Sequence, residues 1–523
     1  MTAPTSAEGL YNAADDLLGR NLAAGRADKV AVRDQNGDWT YGQLDQRVSR
    51  CANVLRALGV EMENRVALAL LDTVDFPTAF LGALRAGAVP VPINTLLPSA
   101  DYSYILRDCR AKVLLVSAPL LEKLQPAIEA SPHLKQVIVA GGPSERHAQF
   151  DRLLEAAAPE TRTAPTHADD VGFWLYTSGS TGRPKGAVHL HSHLVKTAEL
   201  YAEPILGLRA DDVVFSAAKL FFAYGLGNAL TFPLAVGATV CLLAERPSAA
   251  AVGATLRRHR PTVFYGVPTL YGMLLAGEDL PPREELALRL CTSAGEALPA
   301  EILKRWRARV GCDILDGIGS TEMLHIFISN RPGEIRPGSS GKPVPGYEVR
   351  LVDDSGTPVA PGEVGELQIK GPTSAVMYWN QRAKSRDTFL GTWTRSGDKY
   401  MQTDDGYYVY CGRSDDMMKV GGIYVSPFEV EEALVGHAAV LEAAVIGSPD
   451  HDGLIKPKAY VVPRAGEQPG PALAESLVAH VRQHLAEYKR PRWVEFVEAL
   501  PKTATGKIQR FKLRELNRPS KVA

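Results

Sequence analysis

Short runs of wholly apolar residues alternate with helical spacing through the first three quarters of this chain: VALALL (66–71), VLLVS (113–117), QVIVA (136–140), GFWLYT (172–177), VVFSAA (213–218), TVCLLA (239–244) and TVFYGVP (262–268). None alternates apolar with polar residues, so a sheet built from them must be covered on both faces. Parallel strands crossed by helices meet that demand. One helix is legible in detail. Leu44, Val48, Cys51, Leu55 and Leu58 recur at steps of three and four, Thr40 and Gln43 before them fit a capping box, and Gly59 fits the stop. From about residue 340 the texture changes to VRLVDDSGTPVAPGEVGELQIKG, whose Gly/Pro turns predict antiparallel hairpins. A joint at CGRSDDMMKVGG (411–422) follows. Beyond it SPFEVEEALVGH reads as helix, EAAVIG and KAYVVP as strands, and PALAESLVAHVRQHL as helix. The expected class is α/β with an α+β C-terminal domain, divided into 1–414 and 415–523.

At 523 residues the chain is too long for one small module and can bury a large core without disulfide or metal staples. Its 45% apolar and 22% charged residues exclude a largely disordered protein. A formal charge of −1 argues against a surface built to grip nucleic acid or an anionic membrane, so any polyanionic ligand must meet local positive charge. Cys51, Cys109, Cys241, Cys291, Cys312 and Cys411 form no CxxC pair, which suits free thiols in a reducing compartment. The N-terminal residues lack the charge and apolar core of a signal peptide, and the apolar stretch 66–93 is broken by Asp72, Asp75 and Arg85. A cytoplasmic protein without nucleic-acid or membrane partners is expected.

The strongest local signal is YTSGSTGRPKG (176–186), directly after an apolar strand. Thr177, Ser178, Ser180 and Thr181 supply hydroxyls; Gly179, Gly182 and Gly186 let backbone N–H groups converge; Arg183 and Lys185 supply charge. Such a loop suits a phosphate. It is not a Walker A loop, because Pro184-Lys185-Gly186 stands where Gly-Lys-Ser/Thr is required. HLHSH places His189, His191 and His193 at alternate positions, one face of a strand. With no Cys or acid nearby in sequence, packing is expected there and not a metal site.

The loop resembles the phosphate-binding signature of the adenylate-forming superfamily, which includes acyl- and aryl-CoA ligases, adenylation domains and beetle luciferases. Further matches follow in the family's order. SAGEALP (293–299) and DGIGSTE (316–322) resemble the adenine and magnesium segments, and SGD (396–398) the ribose segment. GRSDDMMKVGG (412–422) resembles the hinge, and PKTATGKIQR (501–510) the catalytic-lysine segment. KLFFAYGLGN and STEMLHIFISNRPGEIRPGSSGKPVPGYEV are similar to benzoate-type CoA ligases. The resemblance implies a luciferase-like fold: a large domain of two α/β lobes and a distorted β-barrel, then a small mobile domain. It also implies an AMP-forming aryl-CoA ligase, a monomer or homodimer. Such an enzyme joins benzoate to CoA at the expense of ATP·Mg²⁺. Hydroxybenzoate, aminobenzoate, heteroaryl or medium-chain fatty acids are the alternative substrates.

Site residues follow from the same resemblance. Lys507 would bridge the carboxylate and the α-phosphate, with Lys185, Thr321 and the Mg²⁺-side Glu322 beside it. Two anions must meet in that step, so preorganised cations and a metal are the expected remedy. Nucleotide contacts fall on Thr177, Ser178, Gly179, Ser180, Thr181 and Gly182 in the loop, and on Ala294, Gly295 and Glu296. They continue through Asp316, Gly317, Ile318, Gly319, Ser320 and Thr321 to Asp398 and Arg413 at the ribose. Ile318 stands where the family often stacks an aromatic ring on adenine, and offers an aliphatic contact. Phe222, Ala223, Tyr224, Gly225, Tyr265, Gly319, Leu324, His325 and Ile326 match the acyl pocket. Asp415 matches the hinge on which the small domain would turn between half-reactions, with Lys419 and Gly421-Gly422 beyond it. Residues 501–523 carry seven basic side chains against one acid, Glu515, placing positive charge where ATP and CoA phosphates would need it.

Overall fold

The computed structural model describes residues 9–177, 183–414, 416–420, 423–452, 454–502 and 508–517. The chain packs as two compact units, Met1–Glu348 with Ile369–Thr394, and Val349–Gln368 with Arg395–Ala523. The apolar runs of the first unit form its strands. Arg65–Ala69, Val89–Pro92, Val113–Ser117, Gln136–Ala140 and Ala148–Gln149 make one wholly parallel five-stranded sheet. A second sheet of nine strands has a parallel centre: Val30–Asp34, Thr239–Cys241, Val213–Ser216, Val263–Gly266, Leu290–Ser293 and Ile314–Gly319. Its outer strands pair antiparallel, Gly37–Thr40 at one edge and Ile326–Ser329 with Lys342–Pro343 at the other. Side chains from helices Ala249–His259, Pro268–Ala276 and Ala300–Val310 join its core, with Trp306 and Tyr271 fully buried.

GFWLYT departs from the parallel expectation. Val171–Thr177 pairs antiparallel with Lys185–Leu190, because the intervening loop returns the chain on itself; Met377–Tyr378 completes this three-stranded sheet. Helix Tyr41–Ala57 begins as its sequence dictates, with the Thr40 hydroxyl accepting from Gln43 N–H and the Gln43 side chain accepting from Thr40 N–H. It packs so closely on helix Asp75–Ala86 that a Cβ at Gly82 would lie 2.6 Å from the Cys51 sulfur. That second helix is buried along all its twelve residues. Its charges survive burial by pairing: Arg47 reaches Asp75 at 2.7 Å, and Arg85 reaches Asp15 and Asp45 at 2.8 Å each. No helix among the described residues is long and apolar enough to cross a membrane.

In the second unit Glu348–Val352 lies beside Val364–Lys370 across the Gly/Pro turns, and Trp393–Gln402 pairs antiparallel with Tyr408–Arg413, with Asp398 opposite Arg413. The C-terminal part is the expected α+β arrangement. Val440–Pro449 pairs antiparallel with Ile455–Pro463, which pairs parallel with Trp493–Phe496. Helices Pro427–Val435 and Pro471–His484 bury Val430, Leu434, Leu477 and Val481 against these strands. The Ser426 hydroxyl caps the first of them by accepting from Glu429 N–H.

An ion network joins the ends of this part. The Arg510 guanidinium meets Glu431 at 2.6 Å and Asp416 at 3.5 Å, and Arg514 also binds Asp416. Glu431 accepts in addition from Val445 N–H at 2.6 Å. Arg510→Met leaves Glu431 buried without its cation, a loss of about 3 kcal/mol for this part. Chemical denaturation followed by Trp493 fluorescence should show that part unfolding earlier; an unchanged midpoint would contradict the network's role.

Candidate functional site

The segment 316–326 is a turn held at many points. Gly317 and Ile318 run antiparallel to Ser329 and Ile328, and a Cβ at Gly319 would lie 2.6 Å from the His325 carbonyl oxygen. The chain then turns through Leu324, a non-glycine residue at φ +66°. Such backbone costs on the order of 1–3 kcal/mol and persists only where the surroundings enforce it. Here they do. His189 Nε2–H donates to the Thr321 carbonyl at 2.8 Å, Ala375 N–H to the Glu322 carbonyl at 2.7 Å, and the Thr373 hydroxyl to the Met323 carbonyl at 2.8 Å. The Tyr378 hydroxyl donates to Glu322 Oε1 at 2.5 Å, which aims the carboxylate, and the Lys185 ammonium lies 4.6 Å from the centre of the Tyr378 ring. The structure thus brings Lys185, Thr321 and Glu322 into one neighbourhood through Tyr378, Thr373 and Ala375, which no motif contains, and through His189 of HLHSH.

Ser178, Gly179, Ser180, Thr181 and Gly182 lie outside the described residues, but both ends of their loop are anchored. Tyr176 donates its hydroxyl to Asp108 at 2.6 Å, and the exposed Arg183 lies 5.4 Å from the centre of the Tyr104 ring. Ala294 is buried, Gly295 turns at φ +91°, and Glu296 accepts from the Thr269 hydroxyl at 3.0 Å. Asp316 sits one strand away, with Ser293 as its register partner. It is buried, its Oδ1 lacks a donor among the described residues, and burial pushes its carboxyl well above the usual range.

Several of the residues expected at an acyl pocket converge on His325. Its ring lies 5.5 Å from that of Tyr224, 4.4 Å from Phe232 and 5.6 Å from Tyr201, and Tyr265 stands edge-on to Tyr224 at 6.4 Å. Nε2–H donates to Asn228 Oδ1 at 3.1 Å and to the Tyr224 carbonyl at 3.3 Å, which leaves the lone pair on a buried, unpartnered Nδ1. The Tyr224 hydroxyl hydrogen-bonds Thr292 Oγ1 at 2.6 Å. Gly227 is required by this packing, since a Cβ there would overlap the His325 ring. Leu324 and Ile326 flank His325, Gly225 is buried, and Ala223 and Phe222 are half-buried. The Phe222 ring packs on Phe221, 4.5 Å away. Sequence reasoning missed Asn228, Phe232, Tyr201 and Thr292. Asn228 alone carried a signal, four residues after Tyr224 and so on the same helical face.

In the second unit Arg413 donates to Asp398 Oδ1 at 3.0 Å and to the Ser396 carbonyl at 3.2 Å, so the two expected ribose residues meet. Asp415, Gly421, Gly422 and Lys507 lie outside the described residues; Lys419 belongs to strand Met418–Val420, opposite Tyr424. The basic tail needs correction as a source of free charge. Arg510 and Arg514 are held by Asp416 and Glu431, and Lys502 meets Glu442 at 2.5 Å.

The three histidines of HLHSH do not share one strand face, because the strand ends at Leu190 and helix His191–Thr197 begins at once. His191 Nδ1 accepts from Ala13 N–H at 3.3 Å, and His193 Nδ1–H serves His189 Nδ1 at 3.1 Å. Burial keeps all of these neutral: His189 and His325 are pushed down to about 3, His191 and His193 to about 4. Unfolding returns them to the ordinary value near 6.5, so the unfolded chain binds more protons between about pH 4 and 6.5. Their contribution to stability is complete above that window and lost as pH falls through it. Calorimetry from pH 7 to 4 should show a falling Tm with proton uptake on unfolding; proton release at pH 5 would contradict it.

The chain is similar to known proteins over nearly its whole length. The family described as AMP-binding enzyme matches residues 20–379, and the AMP-binding enzyme C-terminal domain matches 429–507. The chain is 60% identical to benzoate–CoA ligase of Thauera aromatica over 96% of each protein. It is 51% identical to 4-hydroxybenzoate–CoA/benzoate–CoA ligase of Rhodopseudomonas palustris, over 97% of this chain and 94% of that one. The crystal structure of a benzoate CoA ligase from Burkholderia xenovorans LB400 superposes with a TM-score of 0.90 at 57% identity, covering 97% of this chain and all of that one. Matched by the family model over residues 20–379 and 60% identical to a relative over nearly its whole length, the chain belongs to the AMP-binding enzyme family.

Proposed function

We propose that the protein is a benzoate–CoA ligase. Benzoate attacks the α-phosphorus of ATP, pyrophosphate leaves, and CoA then displaces AMP from benzoyl-adenylate to give benzoyl-CoA. The observation that carries this reading is the neutral aromatic enclosure around His325, built three residues beyond Glu322. A flat apolar ring gains from such surroundings, whereas a second charged group would be stranded in them. The names of the similar proteins point the same way.

The residues have distinct work in this scheme. The loop 178–182 holds phosphates with Lys185, and Thr321 adds a contact to the α-phosphate. Asp316, with its unpartnered Oδ1, fits an acceptor for the exocyclic amine of adenine. Asp398 takes the ribose hydroxyls and Arg413 steadies it. Glu322, oriented by Tyr378, fits a Mg²⁺ ligand, since that ion is held by one or two carboxylates together with phosphate oxygens. Bound there, the ion would supply charge neutralisation between phosphate oxygens. Lys507 serves adenylation, and rotation of 415–523 about Asp415 against 1–414 then clears the space for the CoA thiol. A cytoplasmic monomer or homodimer fits the six free thiols and the substrates.

The experiment is a panel of acids with AMP and pyrophosphate detection. Benzoate should stand among the best substrates by kcat/KM, and AMP, not ADP, should accumulate one-for-one with the thioester. A 4-hydroxybenzoate, aminobenzoate, heteroaryl or medium-chain acid exceeding benzoate more than about tenfold, roughly 1.4 kcal/mol, would replace the substrate assignment.

A further inference from the structure

Cys291 and Cys312 are 21 residues apart and unremarkable in sequence, yet their sulfurs lie 3.6 Å from each other. Cys291 is fully buried on strand Leu290–Ser293. Cys312 is 8% exposed and lines a surface cleft of about 410 Å³ with Arg289, Arg307, Gly311 and Asp313. The Arg283 guanidinium is packed against Gly311, where a Cβ would overlap it. The two thiols are therefore unequal. The hydrogen bond between the two sulfurs lowers the Cys312 thiol, with Arg283 adding to the effect and burial and Asp313 opposing it; burial and the same hydrogen bond raise Cys291. Burial instead pushes Cys51, Cys109, Cys241 and Cys411 up to about 12. A largely buried sulfur at the floor of a surface cleft, with a lowered thiol and a second thiol in reach, is the arrangement of an oxidisable pair.

We propose that Cys291 and Cys312 are a peroxide-oxidised dithiol that switches the ligase off. The Cys312 thiolate attacks the distal oxygen of a hydroperoxide, giving a sulfenic acid and releasing an alcohol, or water from hydrogen peroxide. Cys291 sulfur then displaces the hydroxyl from Cys312 and its proton leaves with it as water. Two thiols lose two electrons to the O–O bond, and an external dithiol returns them.

The pair is placed to act on the site. Cys291 is followed by Thr292, which holds the Tyr224 hydroxyl through Oγ1 and the Tyr271 hydroxyl through its carbonyl. Cys312 stands four residues before Asp316 at the head of the strand that leads to Thr321 and Glu322. An S–S bond near 2.05 Å would draw the sulfurs together by roughly 1.5 Å and staple two neighbouring strands at their start. Displacements of that order in a site cost about a hundredfold in rate.

The test treats the full-length protein with hydrogen peroxide, alkylates the remaining thiols and maps them by mass spectrometry while assaying the ligase. The expected result is a Cys291–Cys312 linked peptide whose yield tracks a loss of activity of at least about tenfold, restored by dithiothreitol. Cys312→Ser should keep its activity under peroxide and form no link. Cys291→Ala should instead accumulate a Cys312 sulfenic acid that dimedone traps. Inactivation that persists in Cys312→Ser, or both thiols remaining alkylatable after peroxide, would overturn the proposal.

Discussion

The position of the Glu322 carboxylate depends on a phenol. Tyr378 donates to it at 2.5 Å, while His189 from the same three-stranded sheet holds the backbone of Thr321, and the Ala375 N–H, just before that sheet's third strand, holds that of Glu322. A carboxylate near phosphates is useful only if its charge is aimed at a metal and not at the phosphates themselves. Aiming it requires partners fixed before substrate arrives, since reorganisation during the reaction would forfeit the electrostatic gain. The antiparallel return of the chain at Lys185 places that cation on the same small sheet as Tyr378, the phenol that holds the Glu322 carboxylate. The strained backbone at Leu324 is the local cost, and it directs His325 towards the aromatic enclosure.

Chemistry divides cleanly between the elements. The ends of two neighbouring inner strands of the nine-stranded sheet, Leu290–Ser293 and Ile314–Gly319, lead to the groups proposed for nucleotide and metal, and the helical turn at 223–231 carries the proposed wall of the acyl pocket. His325 links the two, bonded to Asn228 and Tyr224 and adjoining the Thr321–Glu322 turn in sequence. Its neutrality follows from burial, and a neutral ring suits an apolar substrate that brings its only charge to the phosphate side.

Much of this was legible in the sequence because it is local. The capping box at Thr40, the apolar runs, the hydroxyl-rich loop and the order of the motifs depend on residues near one another in the chain. The partners that give those motifs their geometry are not local. Tyr378 lies 56 residues from Glu322, and His189 lies 132 from Thr321. The strand containing GFWLYT is apolar enough to be parallel, yet its loop folds it antiparallel, since composition reports coverage and not direction. The basic tail misled for the same reason: charges were countable, whereas their pairing with Asp416, Glu431 and Glu442 required the fold. The left-handed residue at 324 is a leucine, which no turn rule would have singled out.

We propose that adenylation depends on Lys507 whereas thioester formation does not. That division is tested most directly by measuring both half-reactions of Lys507→Ala. Benzoate-dependent pyrophosphate exchange into ATP, without CoA, should fall by about a hundredfold or more. Transfer to CoA from synthetic benzoyl-adenylate should stay within about threefold of the parent, under 0.7 kcal/mol. Equal loss of both half-reactions would contradict the division.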